Sequence, residues 1–345
     1  MRWKLGGFLM ATMTVSALLS LWWQAPGAQA VPRETAVWQD EYRRPKEIPF
    51  PDSNPYSTEK AALGRMLFFD PIFSASRFIS CASCHNPGLS WGDGRARAQG
   101  EGPSAMDLRS PTLLNDAWMP RLGWDGKFRD IEAVTFAPIT KAANMNLPEE
   151  MLLARLAAIP GYVSAFASVF GKEGITRRTI KLALATYERT IVSQDAPFDR
   201  WIEGEANAIG PAAKRGFELF NGKARCAGCH GGWPFSDGSF HDIGTARGQD
   251  VGRGRIFPSS VKLRYAFKTP TLRDIARRAP YMHDGSVATL ADVIDLYDRG
   301  GIDRPSRSEL ISPLGLSEVE KADLIAFLET LSSVPLNVEV PTLPR

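Results

Sequence analysis

All four cysteines of this 345-residue chain fall in two copies of one pattern, Cys81-Ala82-Ser83-Cys84-His85 and Cys226-Ala227-Gly228-Cys229-His230. C-x-x-C-H is the attachment sequence of c-type haem. Two thiols add across the vinyl groups of the macrocycle, and the adjacent imidazole becomes the proximal ligand of the iron. The spacing lets both sulfurs and the histidine reach one porphyrin. A thioredoxin-type pair would need a βαβ context, and none is visible here. A zinc ribbon sets its pairs about 15–20 residues apart, whereas the first cysteines here are 226 − 81 = 145 residues apart. Two covalently bound haem c groups are therefore expected. Cys81, Cys84 and His85 would hold the first, and Cys226, Cys229 and His230 the second.

The N-terminus agrees with such a cargo. Arg2 and Lys4 precede an apolar run from Leu5 to Trp23, and Ala28-Gln29-Ala30 is a cleavage site. Residues 1–30 read as a signal peptide, with an uncleaved anchor as the alternative. A periplasmic location follows, because c-type haem is attached outside the bacterial inner membrane. No other segment is apolar and long enough to cross a membrane. The remaining 345 − 30 = 315 residues make room for two domains. The formal charge of +3 falls to +1 once Arg2 and Lys4 are removed. That near-neutral balance argues against nucleic acid as a partner.

The elements that must carry the two motifs repeat. Residues 31–55 contain Pro32, Pro45, Pro49, Pro51 and Pro55 and predict an extended strap. A helix follows, capped by Ser57 or Thr58, with Ala62, Leu63, Met66 and Leu67 on one face and Asp70-Pro71 as its stop. A second such helix has Pro211 in its first turn. Gly64-x-x-Leu67-Phe68 and Gly216-x-x-Leu219-Phe220 lie shortly upstream of the two haem motifs. Each glycine would let another helix approach closely. A closing helix is predicted in each half. Thr176 precedes Ile180, Leu184, Tyr187 and Ile191, and the capping box Ser317-x-x-Glu320 precedes Leu324, Ile325, Leu328 and Leu331. The fold expected is all-α, two tandem cytochrome c-type domains over 56–203 and 204–335 with long haem-wrapping loops. Gly204 to Gly210 is the linker, and 336–345 is a tail.

Four histidines exist, so only His241 and His283 remain for the distal side of either iron. An imidazole on the first iron would have to reach across domains. An open or water-bound sixth position is expected there, with Met106, Met119 or Met145 as alternative ligands. His241, eleven residues past His230, is read as a hydrogen bonder near the haem edge.

Further segments carry a resemblance: Ser110-Pro111-Thr112-Leu113-Leu114-Asn115, Trp124-Asp125-Gly126, Pro270-Thr271-Leu272-Arg273 and Pro280-Tyr281-Met282-His283-Asp284-Gly285. With two haem motifs in register, the chain from Glu59 to Leu331 resembles the bacterial di-haem cytochrome c peroxidase/MauG family. The resemblance implies that hydrogen peroxide meets the first haem while the second exchanges electrons with a protein. In the peroxidases a methionine ligates the second iron fourteen residues after the histidine matching His283. Tyr297 holds that position here, which is similar to the MauG pattern. A phenolate is hard and anionic and favours oxidised iron, whereas a thioether favours ferrous iron. Without the resemblance, Tyr297 reads as a core aromatic behind Leu290, Val293 and Ile294. Trp124 matches the tryptophan between the haems, where an indole relays charge; by itself it reads as core.

The pattern also breaks. Cleaving peroxide requires a proton to move, usually through a carboxylate. The family's Gln, Pro and Glu fall at Val134, Pro138 and Asn144. Val134 cannot hydrogen-bond, and Asn144 cannot shuttle a proton as a carboxylate does. Glu101, in Gly100-Glu101-Gly102, is a candidate replacement; otherwise it is an exposed loop acid. Calcium is doubtful, because the family's Asn ligand falls at Arg109. Arg109 or Arg278 could instead neutralise haem propionates. The expected function is a periplasmic di-haem peroxidase or oxidoreductase that oxidises a partner protein or reductant through the second haem. The alternatives are a peroxide-detoxifying cytochrome c peroxidase fed by a small cytochrome, and a non-enzymatic electron carrier or redox sensor.

Overall fold

The computed structural model describes residues 33–344 apart from Ser104 and Leu336, so the expected signal peptide at 1–30 lies outside the described residues. The longer helices are α1 (Arg33–Tyr42), α2 (Thr58–Phe69), α3 (Glu149–Ala157), α4 (Pro160–Phe170), α5 (Arg177–Arg189), α6 (Pro211–Asn221), α7 (Leu290–Arg299) and α8 (Glu318–Glu329). Among the described residues one sheet occurs, β1 (Phe240–His241) antiparallel to β2 (Phe267–Lys268).

Each half is built on one crossed helix pair. In the first half α2 packs on α5, and in the second α6 packs on α8. The caps are those the sequence predicts. Ser57 accepts from Lys60 N, Thr176 from Thr179 N and Ser317 from Glu320 N, while Pro211 opens α6. The repeated glycines sit at the crossings. A Cβ on Gly64 would stand 2.0 Å from the Ala183 carbonyl oxygen, and one on Gly216 would stand 2.0 Å from that of Asp323. Only a residue without a side chain permits this approach. Behind the crossings, Leu63, Leu67, Phe68 and Leu184 bury one core, and Phe217, Phe220, Leu324 and Phe327 another.

The N-terminal strap requires correction. Residues 33–42 form a helix, and irregular chain begins only after Tyr42. The prolines bracket this stretch rather than interrupt it: Pro32 precedes the first turn, where proline is tolerated, and Pro45 follows the last. Packing fixes the helix on the C-terminal half. The Trp38 ring stands edge-on to Phe217 at 5.0 Å, and the Tyr42 hydroxyl donates to Asn221 Oδ1 at 2.8 Å. The opposite terminus returns the contact. Arg65 donates to the Glu339 carbonyl, Val338 packs on the first core, and Pro344 lies over Gly161. The two ends therefore clasp opposite halves.

The loops between helices also repeat. A tight antiparallel bridge joins Leu122 to Phe128 and another joins Tyr281 to Val287. Trp124 and His283 occupy the same place in the two turns. Arg109 N donates to the His283 carbonyl at 3.1 Å, and Lys268 N donates to the Trp124 carbonyl at 2.8 Å. The halves thus meet through reciprocal hydrogen bonds around a pseudo-twofold junction.

Candidate functional site

Each C-x-x-C-H segment coils into a single turn, Cys81–Cys84 in one half and Ala227–His230 in the other. Both histidines are oriented in the same way. His85 Nδ1 lies 3.2 Å from the Trp91 carbonyl, and His230 Nδ1 lies 2.9 Å from that of Phe235. A backbone carbonyl on Nδ1 fixes the tautomer and leaves Nε2 for a metal. Burial pushes both imidazoles down, so they stay neutral, as a metal ligand must.

The orienting carbonyls belong to residues under backbone strain. Trp91 and Phe235 have φ of 61° and 51°, a region that bulky side chains avoid. Threonines hold the preceding residues in place. Thr112 Oγ1 donates to the Ser90 carbonyl at 2.7 Å, and Thr271 Oγ1 to the Pro234 carbonyl at 2.6 Å. In the second half Arg273, fully buried, adds a 3.0 Å bond from Nε to the Trp233 carbonyl and pairs with both oxygens of Asp199 at 2.8 Å.

No disulfide joins the four cysteines. Burial pushes the Cys226 thiol up to about 12 and raises Cys81 and Cys84 as well. Such thiols stay neutral, unlike the thiolates of redox pairs.

A large cavity opens beside the second motif. Cys226, Cys229, His230, Tyr297, Phe220 and Leu324 line it. It suits a haem in three respects. The thiols and the imidazole are in its lining, Leu and Phe side chains make up much of the rest, and the buried Nε of Arg278, also in the lining, has no partner among the described residues. Tyr297, on α7, shares the cavity with His230, and its hydroxyl makes no hydrogen bond among the described residues. Burial raises that phenol.

Trp124 is in the same lining. Its Nε1 donates to the Arg109 carbonyl at 3.0 Å, and its ring stands 6.4 Å from His283. Carboxylates engage both remaining histidines. His283 Nε2 is 2.6 Å from Asp250 Oδ2, with its ring stacked on Phe267 at 3.7 Å, and His241 Nε2 is 2.8 Å from Asp237 Oδ2. Cys229, Asp237 and His241 cluster closely enough to hold a metal ion, but a thioether at Cys229 removes its charge from that set.

The candidates near the first motif gather at one corner. Cys84 Sγ is 3.7 Å from the Gln99 carbonyl, Glu101 N donates to the Asn144 carbonyl at 2.6 Å, and Met145 N donates to that of Pro138 at 3.1 Å. The Glu101 carboxylate accepts from the Ser76 hydroxyl and amide. Those bonds hold it below the usual carboxylate range, ionised and on the accessible side of the loop. Asn144 Oδ1 is buried without a partner among the described residues. Val134 packs with Leu122 and Ile131, and Met145 is buried in the first core.

Residues 58–207 match the family model described as di-haem cytochrome c peroxidase, and residues 213–332 match cytochrome c. The methylamine utilization protein MauG of Methylorubrum extorquens is 49% identical over 319 residues, 92% of this chain and 90% of that protein. The chain belongs to the di-haem cytochrome c peroxidase/MauG family. The cytochrome-c peroxidase IdrP1 of a Pseudomonas species is 38% identical, over 86% of this chain and 87% of its own. A crystal structure of a MauG-like protein associated with microbial copper homeostasis superposes with a TM-score of 0.78 at 32% identity, covering 84% of this chain and 94% of that one. As a member of this family, the protein is a di-haem oxidoreductase of the peroxidase class with two covalently bound haem c groups, built from cytochrome c domains rich in helix and poor in strand.

Sequence reading missed the threonine buttresses and the Asp199–Arg273 pair. A signal was present. Pro-Thr-Leu occurs at 111–113 and again at 270–272, and Asp-Gly follows both Trp124 and His283. Treated as internal repeats, these would have marked Thr112 with Thr271, and Trp124 with His283, as equivalent pairs.

Proposed function

We propose that this protein is a periplasmic oxidoreductase of MauG type, which takes oxidising equivalents from hydrogen peroxide and delivers them to a partner protein. The bound haems supply one-electron redox chemistry and an iron face for peroxide. Cys81, Cys84 and His85 anchor the peroxide-side haem in a domain spanning 56–203. Cys226, Cys229, His230 and Tyr297 hold the electron-transfer haem in a domain spanning 204–335. The loops carrying Trp91, Thr112, Phe235 and Thr271 wrap the two groups and set the histidines.

The observation that carries this reading is that Tyr297 lines the same cavity as His230. An oxygen donor there favours oxidised iron, which suits extracting electrons from a protein better than receiving them from a small cytochrome. Trp124 lines the same cavity, and among the described residues its indole has a carbonyl as its one hydrogen-bond acceptor. A carbonyl is too weak a base to take the indole proton, so charge passes through Trp124 without a proton transfer. At the first site Asn144 orients rather than transfers a proton. Glu101 is the nearby acid, already ionised and able only to accept one.

Mixing the purified di-haem protein with one equivalent of peroxide tests the reading. A persistent oxidised spectrum that a protein reductant quenches is expected, with slow oxidation of reduced cytochrome c. Rapid cytochrome c turnover would instead favour a detoxifying peroxidase, the reading supported by the 38% identity to IdrP1.

A further inference from the structure

Two arginines at the junction of the halves are buried without a salt-bridge partner among the described residues, although Asp93 attracts Arg109 and Asp274 attracts Arg278 from farther off. Arg109 is 9% exposed and Arg278 is 8% exposed. Neither pairs with a carboxylate among the described residues. Arg109 Nη2 donates to the Arg278 carbonyl at 2.9 Å, and Arg278 Nη2 donates to the Thr271 carbonyl. Arg278 Nε has no hydrogen-bond partner among the described residues. Both residues line the cavity of the second haem motif, together with Lys268, the pseudo-twofold counterpart of Arg109. The one acid in that lining is Asp116. Burying charges without hydrogen-bonded partners costs several kcal/mol each, and Asp93, Asp116 and Asp274 offset only part of it from a distance, so the lining favours an anion with more than one oxygen.

We propose that Arg109 and Arg278 form a carboxylate-binding site that holds the propionates of the haem attached at Cys226 and Cys229, with Lys268 adding a third positive charge. Guanidinium and carboxylate match as paired donors and acceptors. The site also ties the haem to the charge relay. The carbonyl of Arg109 receives the Trp124 indole, and its amide donates to His283. A shift of the Arg109 side chain would thus be felt at both ring positions. The inference rests on haem occupancy of this cavity, and it does not depend on whether Tyr297 is a ligand.

Spectroelectrochemical titration of the di-haem protein tests it, using Arg278→Gln, Arg278→Lys and Arg109→Gln. A cation beside the haem stabilises the reduced state. In each Gln variant the ratio of reduced to oxidised haem at fixed potential should fall about tenfold, a 59 mV drop for a one-electron couple. Loss of the counter-ion also raises the propionate pKa. The potential of one haem should therefore become pH-dependent near neutrality in the Gln variants, while Arg278→Lys stays close to the parent. Unmoved potentials with an unchanged pH profile would overturn the proposal. So would Arg278→Lys behaving like Arg278→Gln. If Arg278→Gln does not assemble, Arg109→Gln decides by the same two readouts.

Discussion

Replacing Gly216 by alanine should drive a wedge into the helix crossing that supports the second haem. The new Cβ would stand 2.0 Å from the Asp323 carbonyl oxygen and 2.8 Å from Phe327 Cβ. Ordinary contact begins at 3.4 Å, so α6 and α8 must part by 3.4 − 2.0 = 1.4 Å. The obstructing atom is helix backbone and cannot rotate away. Overpacking of this kind costs about 1–3 kcal/mol, occasionally more, and alanine regains at most about 1 kcal/mol of helix propensity. A net loss of about 1 kcal/mol results, about 2 at the upper end, lowering the melting temperature by roughly 3–8 °C for a unit of this size. Phe220 and Leu324 flank the crossing and line the haem cavity. The spectrum of the second haem should therefore shift, while that of the first stays constant. Gly64→Ala should do the reverse through Ala183. Calorimetry and electron paramagnetic resonance read both effects. A Gly216→Ala protein that melts at or above the parent would refute the reasoning.

Thr271→Val should leave the half-buried Pro234 carbonyl without its donor, cost about 1 kcal/mol, and alter the second haem's spectrum through the Phe235–His230 contact. Thr112→Val should alter only the first, and an unchanged spectrum in both variants would remove the buttress role. Glu132 lies at a paired site: Arg189 meets its two oxygens at 2.6 and 2.7 Å. Burial alone would raise its carboxyl, but hydrogen bonds from Arg189 and Asn54 outweigh that and hold it below the usual range. Its folded pKa is depressed, so its contribution is complete above the unfolded value of about 4.3 and is lost as pH falls through the folded one. Glu132→Gln should lower stability at neutral pH, by about 3–5 kcal/mol if the buried arginine is left unpaired. The difference from the parent should shrink in acid, and denaturant titrations at several pH values would measure it.

Much of this molecule was legible in the chain because the signals are local. Ser57, Thr176 and Ser317 cap helices through bonds to their own next turn. The C-x-x-C-H runs carry their chemistry within five residues. Gly64 and Gly216 were marked by repetition, although the carbonyls they approach lie over 100 residues away. What stayed hidden depends on distant partners. The helix at 33–42 is stabilised by Phe217 and Asn221, so its composition between prolines misleads. That Arg278 is buried without a salt-bridge partner, close to Arg109 and in one cavity lining with Lys268, becomes evident only in the fold. Tyr297 is a core aromatic by helical spacing, and its place in the cavity that His230 also lines emerges only from the fold.

Electron paramagnetic resonance of the resting ferric protein, compared with Tyr297→Phe, tests the central claim most directly. The parent should show one high-spin and one low-spin haem, and the substitution should abolish or move the low-spin signal alone. A low-spin signal unchanged by Tyr297→Phe would contradict oxygen ligation of the second haem and the MauG-type reading built on it.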